Sequence, residues 1–156
     1  MQTIIDNPDR AFLERAISEA QFDIPFELTA GLSALGARLI NGGLGIVELS
    51  FEAPLTSLQG NGVVSGGTLM TMLDYAMAFA VLSTLPCGQT CATTSITVNM
   101  QAAAKPSLLK VKATVERVGR QIAFARAELH DPQREVLIAS SSATLVVMPV
   151  SRLKAV

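Results

Sequence analysis

Residues 65–86 read SGGTLMTMLDYAMAFAVLSTLP, a nearly continuous apolar run between a glycine pair and a proline. The run predicts a helix over residues 68–84, because Gly66-Gly67 and Pro86 punctuate its two ends. Apolar side chains cover most of its circumference, which is typical of a helix buried on nearly all sides. It is shorter than the ~20 residues of a membrane span, and Asp74 within it would be costly in lipid. We therefore expect a buried helix in a soluble domain.

Helix and strand signals flank this run on both sides. Residues 8–20 predict a first helix, which Asp6 or Asn7 can cap. Two strands, over residues 32–40 and 44–52, are expected on either side of Asn41-Gly42-Gly43, a hairpin signal. Beyond the central helix the pattern predicts strands over residues 90–100, 108–118, 122–129 and 136–148, followed by a short tail.

The order of these elements indicates the fold class. Strands do not alternate with helices, so a doubly wound parallel sheet is not expected. The predicted fold is α+β, an antiparallel β-sheet wrapped around a long central α-helix, with an N-terminal helix. We expect a single domain over residues 1–156 with a core of about 32–148. Because one sheet covers only part of an apolar helix, we also expect a homodimer or a dimer of dimers.

Composition narrows the classes of partner. The chain has 156 residues, is 49% hydrophobic and carries a formal net charge of −1. This balance gives no electrostatic footprint for nucleic acid or for an acidic membrane surface. Cys87 and Cys91 make neither a disulfide framework nor a zinc site, and the N-terminal residues lack the signs of a signal peptide. We expect a cytoplasmic protein with reduced thiols that needs no metal and no redox cofactor.

Several common motifs do not fit the sequence. Gly60, Gly62 and Gly66 miss the dinucleotide-binding spacing by one residue, and no Lys follows them as in a P-loop. Ser65 lacks the glycine that a nucleophile elbow places two residues earlier. His130 is the only histidine and lies in a predicted surface turn. This position disfavours a Ser-His-Asp triad.

Asp74 stands out because it is an acid on an otherwise apolar helix. Buried acids are rare unless they are paired, and no Lys, Arg or His lies between Asn41 and Val98. The residues leave two interpretations open: a structural acid satisfied by hydrogen bonds, or a catalytic carboxylate.

The start of the same helix offers a site for a developing negative charge. Its first N–H groups have no internal acceptor and lie at the positive end of the helix dipole. Gly66 and Gly67 let a substrate oxygen approach these groups, although a glycine pair also suits simple turn geometry. Gly66 lies eight residues from Asp74, which is about 12 Å along a helix. If both act on one carbon, an antiparallel helix pair across a two-fold axis must bring them together from different subunits.

Residues 59–67 read QGNGVVSGG and are followed by Leu73-Asp74. This stretch resembles the signature of hotdog-fold acyl-CoA thioesterases of the PaaI-like (phenylacetate-pathway) subfamily. Their pattern is an Asn or Gln, two residues, G-x-x-H-G-G, and then an acid on the central helix. The likeness continues through residues 93–105, Val118-Gly119-Arg120 and the final Ala-rich strand, and it covers roughly residues 32–148.

The resemblance implies an activity and a set of catalytic residues. The activity is hydrolysis of an acyl-CoA thioester to a free acid and CoA. Asp74 is the implied general base or nucleophile, and the Gly66 N–H is the implied donor that polarises the thioester carbonyl. Gln59 is the implied amide that holds water or the thioester, and Thr93 is the implied hydroxyl that positions the water.

Further substrate contacts are expected around these residues. The expected set is Ser65, Gly67, Asn61 and Arg120. Ser65 stands where the family pattern has His. The serine keeps a hydrogen-bonding hydroxyl but lacks the imidazole ring and any proton donation from it. The CoA phosphates need surface cations, for which Arg120, Lys105 and Lys110 are the candidates.

Two other functions stay open at the level of sequence. One is a non-catalytic acyl-CoA or lipid-binding hotdog protein, which the loss of the family His at Ser65 favours. The other is a hotdog thioesterase that acts on acyl carrier protein. The sequence does not identify the acyl group.

Overall fold

The computed structural model describes residues 4–153 and shows one antiparallel sheet with a long helix packed on it. The helices are α1 (Pro8–Ser18), α2 (Ala30–Ala34), α3 (Gly66–Leu82) and α4 (Val150–Leu153), with a 3₁₀ turn at Leu55–Ser57. The strands are β1 (Ile24–Pro25), β2 (Arg38–Gly43), β3 (Ile46–Glu52), β4 (Gln89–Met100), β5 (Leu108–Val118), β6 (Ile122–Asp131) and β7 (Val136–Pro149). Their order across the sheet is β1-β2-β3-β5-β6-β7-β4. This architecture confirms the predicted α+β fold.

The central helix α3 begins two residues before its predicted start. Ser65 has an extended backbone with ψ of 145°, and its Oγ accepts a hydrogen bond from the Thr68 N–H at 3.4 Å. This N-cap satisfies one of the donors that a helix start leaves open and makes Gly66 the first helical residue. The helix ends at Leu82, shortly before Pro86, which cannot continue a helix.

The N-terminal helix α1 confirms the first predicted helix, and Asn7 is its cap. The Asn7 Oδ1 accepts hydrogen bonds from the N–H groups of Asp9 and Arg10 at 2.8 and 3.2 Å. Asp6 instead binds the buried guanidinium of Arg10, with Nη2 to Oδ2 at 2.6 Å.

The predicted strand over residues 32–40 is wrong in its first half. Thr29 caps the short helix α2 by accepting a hydrogen bond from the Leu32 N–H at 3.3 Å, and Gly36 follows it with φ of +55°. The apolar run is too short for its periodicity to separate a helical turn from a strand. The two-residue strand β1 lies outside every predicted element.

The hairpin between β2 and β3 turns at Leu44-Gly45, not at Asn41-Gly42-Gly43 as predicted. Gly43 pairs with Ile46, so the turn contains two residues. Gly45 has φ of +77°, a conformation that is strained for any residue with a side chain.

The core lies between α3 and one face of the sheet. Leu73 and Met77 of α3 are fully buried in the same cluster as Val111, Leu129 and Leu145. Burying one such side chain contributes about 1.5–3 kcal/mol to the free energy of folding. This packing fixes which face of α3 points away from the sheet.

The N-terminal part of the chain covers a second side of α3. The rings of Phe12, Phe26 and Phe79 stack in sequence, with centroids 4.3 and 4.4 Å apart. The chain therefore covers more of α3 by itself than we expected. One face stays open, where Met70 is 39% exposed and Thr71 is also exposed.

Strand β4 forms one edge of the sheet beside α3. It pairs with β7, whereas β5 pairs with β3, so the chain crosses the sheet after α3. Its other side has no strand partner within the described part of the chain. The twelve residues of β4 therefore leave a long open edge.

Candidate active site

Asp74 lies half-buried on α3, beside the edge strand β4. The Thr93 hydroxyl donates a hydrogen bond to Asp74 Oδ1 at 2.6 Å, a length typical of an O–H donor to a carboxylate. None of the ion pairs within residues 4–153 involves Asp74. No cation among the described residues therefore pairs with the Asp74 carboxylate. One oxygen is held by Thr93, and no described residue donates to the other.

Cys91 is a neighbour of this acid that sequence reasoning missed. It lies two residues before Thr93 on the same face of β4, and its Sγ contacts the Ala78 carbonyl at 3.6 Å. Burial, with a smaller contribution from the charge of Asp74, raises the pKa of the Cys91 thiol to about 12. The thiol therefore stays neutral and adds no second negative charge beside the carboxylate. The alternation of side chains along a strand could have placed Cys91 beside Thr93.

Two N–H groups at the start of α3, those of Gly66 and Gly67, have no acceptor among the described residues. The first backbone hydrogen bond of the helix runs from the Leu69 N–H to the Ser65 carbonyl at 3.1 Å, and the Thr68 N–H is capped. Within residues 4–153 no group accepts from the N–H of Gly66 or Gly67. An anionic oxygen placed there would meet two free donors and the positive end of the helix dipole.

The two glycines are not required by the backbone. Neither has a positive φ, which excludes simple turn geometry as the reason for the pair. A methyl group on Gly66 would lie 3.6 Å from Met100 Cε, an ordinary contact, and one on Gly67 would meet nothing within 4 Å. The chain itself has room for both methyl groups. Packing within the described chain therefore does not require glycine at either position.

Ser65 occupies the N-cap position instead of pointing freely to solvent. Its Oγ lies 2.8 Å from Thr68 Oγ1, in addition to the cap bond from the Thr68 N–H. The hydroxyl is thus engaged with the helix start, and its contact with substrate stays a prediction.

Three predicted site residues line one cavity beside the start of α3. Gln59, Asn61 and Gly66 surround about 380 Å³ together with Met100 and other apolar residues. Asp74 does not line this cavity, and α3 is continuous between it and Gly66. The acid and the free N–H groups of one chain are thus about 12 Å apart along the helix axis.

The candidate cations lie at three different places. Arg120 lines a separate cavity of about 440 Å³ at the turn between β5 and β6, together with Ile122 and Phe124. Lys105 is in the loop after β4, and Lys110 is on β5; both are exposed. Neither lysine lines the cavity that contains Arg120.

Residues 4–153 contain neither a membrane-spanning helix nor a cluster of metal ligands. No helix there is long and apolar enough to cross a membrane. No three His, Cys, Asp or Glu side chains of that part of the chain cluster as metal ligands.

Comparison with known proteins identifies the family. The profile of the thioesterase superfamily matches residues 61–138, which is half of the chain. The chain belongs to the thioesterase superfamily. The matched region contains α3 and the strands from β4 to the start of β7. It therefore includes Gly66, Asp74 and Thr93 but not Gln59.

Solved structures place this thioesterase within the superfamily. A phenylacetic acid degradation-related protein of Ralstonia eutropha is 29% identical, with a TM-score of 0.73 over 78% of this chain and 92% of that chain. The Escherichia coli PaaI protein, from the phenylacetic acid degradation operon, is 20% identical, with a TM-score of 0.74 over 88% and 94%. A Streptococcus mutans protein solved with acetyl CoA is 20% identical, with a TM-score of 0.67 over 72% and 89%. No curated protein sequence matches the chain significantly.

These findings confirm three predictions. The fold is the hotdog fold, the chain is a PaaI-like thioesterase, and its reaction class is thioester hydrolysis.

Proposed function

We propose that the thioesterase hydrolyses acyl-CoA to a free acid and CoA, with Asp74 as general base or nucleophile. The observation that carries this proposal is the 2.6 Å hydrogen bond from Thr93 to Asp74 Oδ1. It orients a carboxylate that forms no ion pair with any residue of the described range 4–153, and it leaves the second oxygen without a described donor. The acetyl CoA bound by the Streptococcus mutans neighbour favours a CoA thioester as substrate.

The reaction follows from the two parts of the site. Asp74 takes a proton from water as the water oxygen attacks the thioester carbon, and Thr93 keeps the carboxylate oriented. The carbonyl oxygen becomes an oxyanion that the Gly66 N–H stabilises, and collapse of this intermediate breaks the C–S bond and releases the CoA thiolate. In the alternative route Asp74 attacks the carbon directly, and water then hydrolyses the resulting anhydride. Neither route needs a metal or a redox cofactor.

The geometry of α3 supports a site built from two subunits. Its open face contains Gly67, Met70, Thr71 and Asp74, the i, i+3, i+4, i+7 pattern of one helix side. Residue 70 is midway between Gly66 and Asp74. A two-fold axis near Met70 that pairs two antiparallel copies of α3 would therefore place Asp74 of each chain opposite Gly66 of the other.

The open edge of the sheet lies on the same side of the molecule. Thr93 of β4 binds Asp74, so a second copy approaching β4 also approaches the acid. Exposed strand edges readily pair with another chain. We therefore propose a homodimer formed along β4 and the open face of α3, and a dimer of dimers stays compatible with it.

The remaining predicted residues are proposed to bind the substrate. Gln59 and Asn61 share the cavity with Gly66, so the Gln59 amide is suited to hold the water or the thioester there. Arg120, Lys105 and Lys110 are proposed contacts for the CoA phosphates. Both cysteines are free, in keeping with a reducing compartment such as the cytoplasm.

The first experiment measures release of CoA with a thiol reagent. We expect Asp74→Asn to lower kcat by about 10²-fold or more, because it removes the base while keeping the size of the side chain. Asp23→Asn is the matched control, since Asp23 forms an exposed ion pair with Arg38. Undiminished hydrolysis by Asp74→Asn would contradict the mechanism.

A complementation experiment tests the two-subunit site. Gly66→Pro deletes the donor N–H, and proline suits the first position of a helix. Ser65 already has the extended ψ of 145° that precedes a proline. Mixing inactive Asp74→Asn with inactive Gly66→Pro should restore about a quarter of wild-type activity, because half of the dimers are mixed and each carries one intact site.

The control for Gly66→Pro is Gly66→Ala, which keeps the N–H. Absence of recovery after subunit exchange, verified by mass, would contradict a site that combines Asp74 of one subunit with the Gly66 N–H of the other.

Assays with different thioester substrates distinguish the two alternative functions from the proposed one. Binding of acyl-CoA by the wild type without turnover would favour a non-catalytic binding protein. Faster hydrolysis of an acyl carrier protein thioester than of the matched CoA thioester would favour the carrier-protein thioesterase. A panel of short-chain, long-chain and aryl-CoA thioesters then defines the acyl group.

A further inference from the structure

The loop between β4 and β5, residues 101–107, forms one wall of the cavity at the start of α3. Gln101, Ala102, Ala103 and Ala104 all line it. The Val64 N–H donates a hydrogen bond of 2.8 Å to the Ala104 carbonyl. Val64 is two residues before Gly66, so this bond joins the loop to the segment that carries the free N–H groups.

The other side of the same loop is held by Arg134, in the turn between β6 and β7. Its Nη2 donates to the Ala103 carbonyl at 2.9 Å, and its Nε donates to Asp131 Oδ2 at 2.7 Å. One planar guanidinium thus bridges a carboxylate and a backbone carbonyl. Its N–H donors have a fixed planar arrangement, which suits binding two acceptors at the same time.

Asp131 is a firm support for this bridge because it is itself fixed. It is 1% exposed, and its Oδ1 accepts from the backbone N–H of Gln133 and of Arg134 at 3.0 and 3.2 Å. The Ser107 hydroxyl lies 3.4 Å from its Oδ2. The hydrogen bond from Arg134 is the main cause that holds the pKa of Asp131 below its usual range. The carboxylate is therefore charged at neutral pH and keeps the guanidinium in place.

We propose that Arg134 is a positioning residue for the Gly66 N–H, acting through Ala103, Ala104 and Val64. This inference rests on the proposed function, because it assigns Arg134 to the oxyanion donor of that site. The contacts run from Asp131 to Arg134, to the Ala103 carbonyl, to the adjacent Ala104 carbonyl, and to the Val64 N–H. Arg134 does not line the cavity, so its effect on the reaction is indirect.

The effect has a physical reason: only two residues separate the contact with the loop over residues 101–107 from the Gly66 N–H. Val64 and Ser65 join the Ala104 contact directly to Gly66, and Val64 is buried. A displacement of the loop therefore shifts the first turn of α3. Misplacement of a reacting group by about 1 Å can cost 10²-fold in rate.

The test compares Arg134→Gln, Arg134→Lys and the control Arg38→Gln. Arg38 also binds a carboxylate next to a backbone carbonyl, that of Asp23, with Nε to Oδ1 at 3.0 Å. It is remote in sequence from the loop over residues 101–107 and is not part of the proposed site. Each variant is assayed for kcat and KM with one acyl-CoA thioester, for Tm, and for amide hydrogen exchange over residues 57–66.

For Arg134→Gln we expect kcat to fall by about tenfold with KM changed by less than about threefold, because the oxyanion donor acts in the transition state. The Val64 amide should exchange roughly tenfold faster, because its acceptor is no longer held in place. Arg134→Lys keeps a positive charge beside Asp131 but loses the planar guanidinium that also binds the Ala103 carbonyl. Compared with Arg134→Gln, it should therefore recover more of the wild-type Tm than of the wild-type kcat or hydrogen exchange. Arg38→Gln should leave kcat and exchange over residues 57–66 unchanged.

Two results would overturn the inference. One is wild-type exchange at Val64 in Arg134→Gln, whatever its kcat. The other is a fall in kcat that simply follows Tm across all three variants. If the wild type hydrolyses no thioester, the proposed function fails, and the exchange of Val64 still decides whether Arg134 positions the start of α3.

Discussion

The Thr93 hydroxyl lies 2.6 Å from Asp74 Oδ1 and joins the middle of α3 to the edge strand β4. The two residues are nineteen positions apart in the chain, so the contact depends on how the helix lies along the strand. It orients the Asp74 carboxylate, with which none of residues 4–153 pairs as a cation. The hydroxyl therefore has a defined part in the proposed reaction.

Removing this hydroxyl should slow the reaction without unfolding the protein. Thr93→Val keeps the shape of the side chain and removes the donor, and we expect kcat/KM to fall by about tenfold, the worth of one charge-assisted hydrogen bond. Thr93→Ser keeps the donor and should stay within about threefold of the wild type. Steady-state kinetics at constant Tm checks both, and equal rates for the Val and Ser variants would contradict the role of the hydroxyl.

Gly67 should behave as a glycine required by function and not by the backbone. Gly67→Ala places a methyl group where the chain has nothing within 4 Å, so the free energy of unfolding should be unchanged or higher by about 0.5 kcal/mol. The methyl group projects onto the open face of α3, and we expect activity or dimerisation to fall by about tenfold or more. Urea denaturation, kinetics and sedimentation are measured on the same samples.

Gly45 serves as the control, because its glycine is required by the backbone conformation and not by the proposed function. Its φ of +77° means that Gly45→Ala should destabilise the protein by about 1 kcal/mol or more. Its kcat should stay at the wild-type level. If Gly67→Ala were the more destabilising of the two, a backbone role for Gly67 would have to be accepted.

The two cysteines should differ sharply in reactivity. Because the pKa of the Cys91 thiol is raised to about 12, only about one Cys91 in 10⁴ is a thiolate at pH 8. Cys87 is exposed. A thiol reagent should therefore label one thiol in the native protein and two in urea, and the native Cys87→Ser variant should react at least about 10³-fold more slowly than when it is unfolded.

The labelling has a practical use, since Cys87→Ser removes a background thiol from assays of CoA release. Rapid native labelling of that variant would contradict the burial of Cys91.

Acid should weaken the protein partly through Asp131. Its pKa is lower in the folded protein, mainly because of Arg134, than the value of about 3.9 in the unfolded chain. A lowered pKa adds stability that is fully present above pH about 4 and is lost as the pH falls through the folded value. Asp131→Asn should therefore be less stable than the wild type at pH 7, and the difference should shrink by pH 3.

Urea denaturation at the two pH values measures this difference. Asp23→Asn is the control, because the Asp23 side chain is 75% exposed in its ion pair with Arg38 and such surface pairs contribute little. A gap between Asp131→Asn and the wild type that does not change with pH would contradict the assignment.

Much of the fold could be predicted from local patterns. The alternation of Leu109, Val111 and Ala113 with lysines predicts β5 with the bounds it has, and the apolar run predicts α3 to within two residues at each end. The errors occur where a few residues decide the local shape. Thr29 caps a helical turn in place of a strand, and Gly45 moves the hairpin turn by two residues.

The candidate site could be predicted only in part from the sequence. A lone acid on an apolar helix and a glycine pair at its start are sequence signals, and the resemblance added Gln59 and Thr93. Cys91 could have been placed beside Thr93 by the alternation of side chains along β4. Arg134 carries no such signal, because its relation to the site exists only through a contact between segments distant in the chain.

By itself the sequence determined the periodic elements and the types of group at the site, since helix and strand patterns are local and Asp74 is chemically conspicuous among apolar neighbours. Only the tertiary structure decided that β4 crosses to the edge of the sheet and that Thr93 meets Asp74. It also decided that no residue within 4–153 accepts from the N–H of Gly66 or Gly67. The physical reason is that strand order and helix placement depend on burial of the whole core. The open face of α3 then follows from what that packing leaves uncovered.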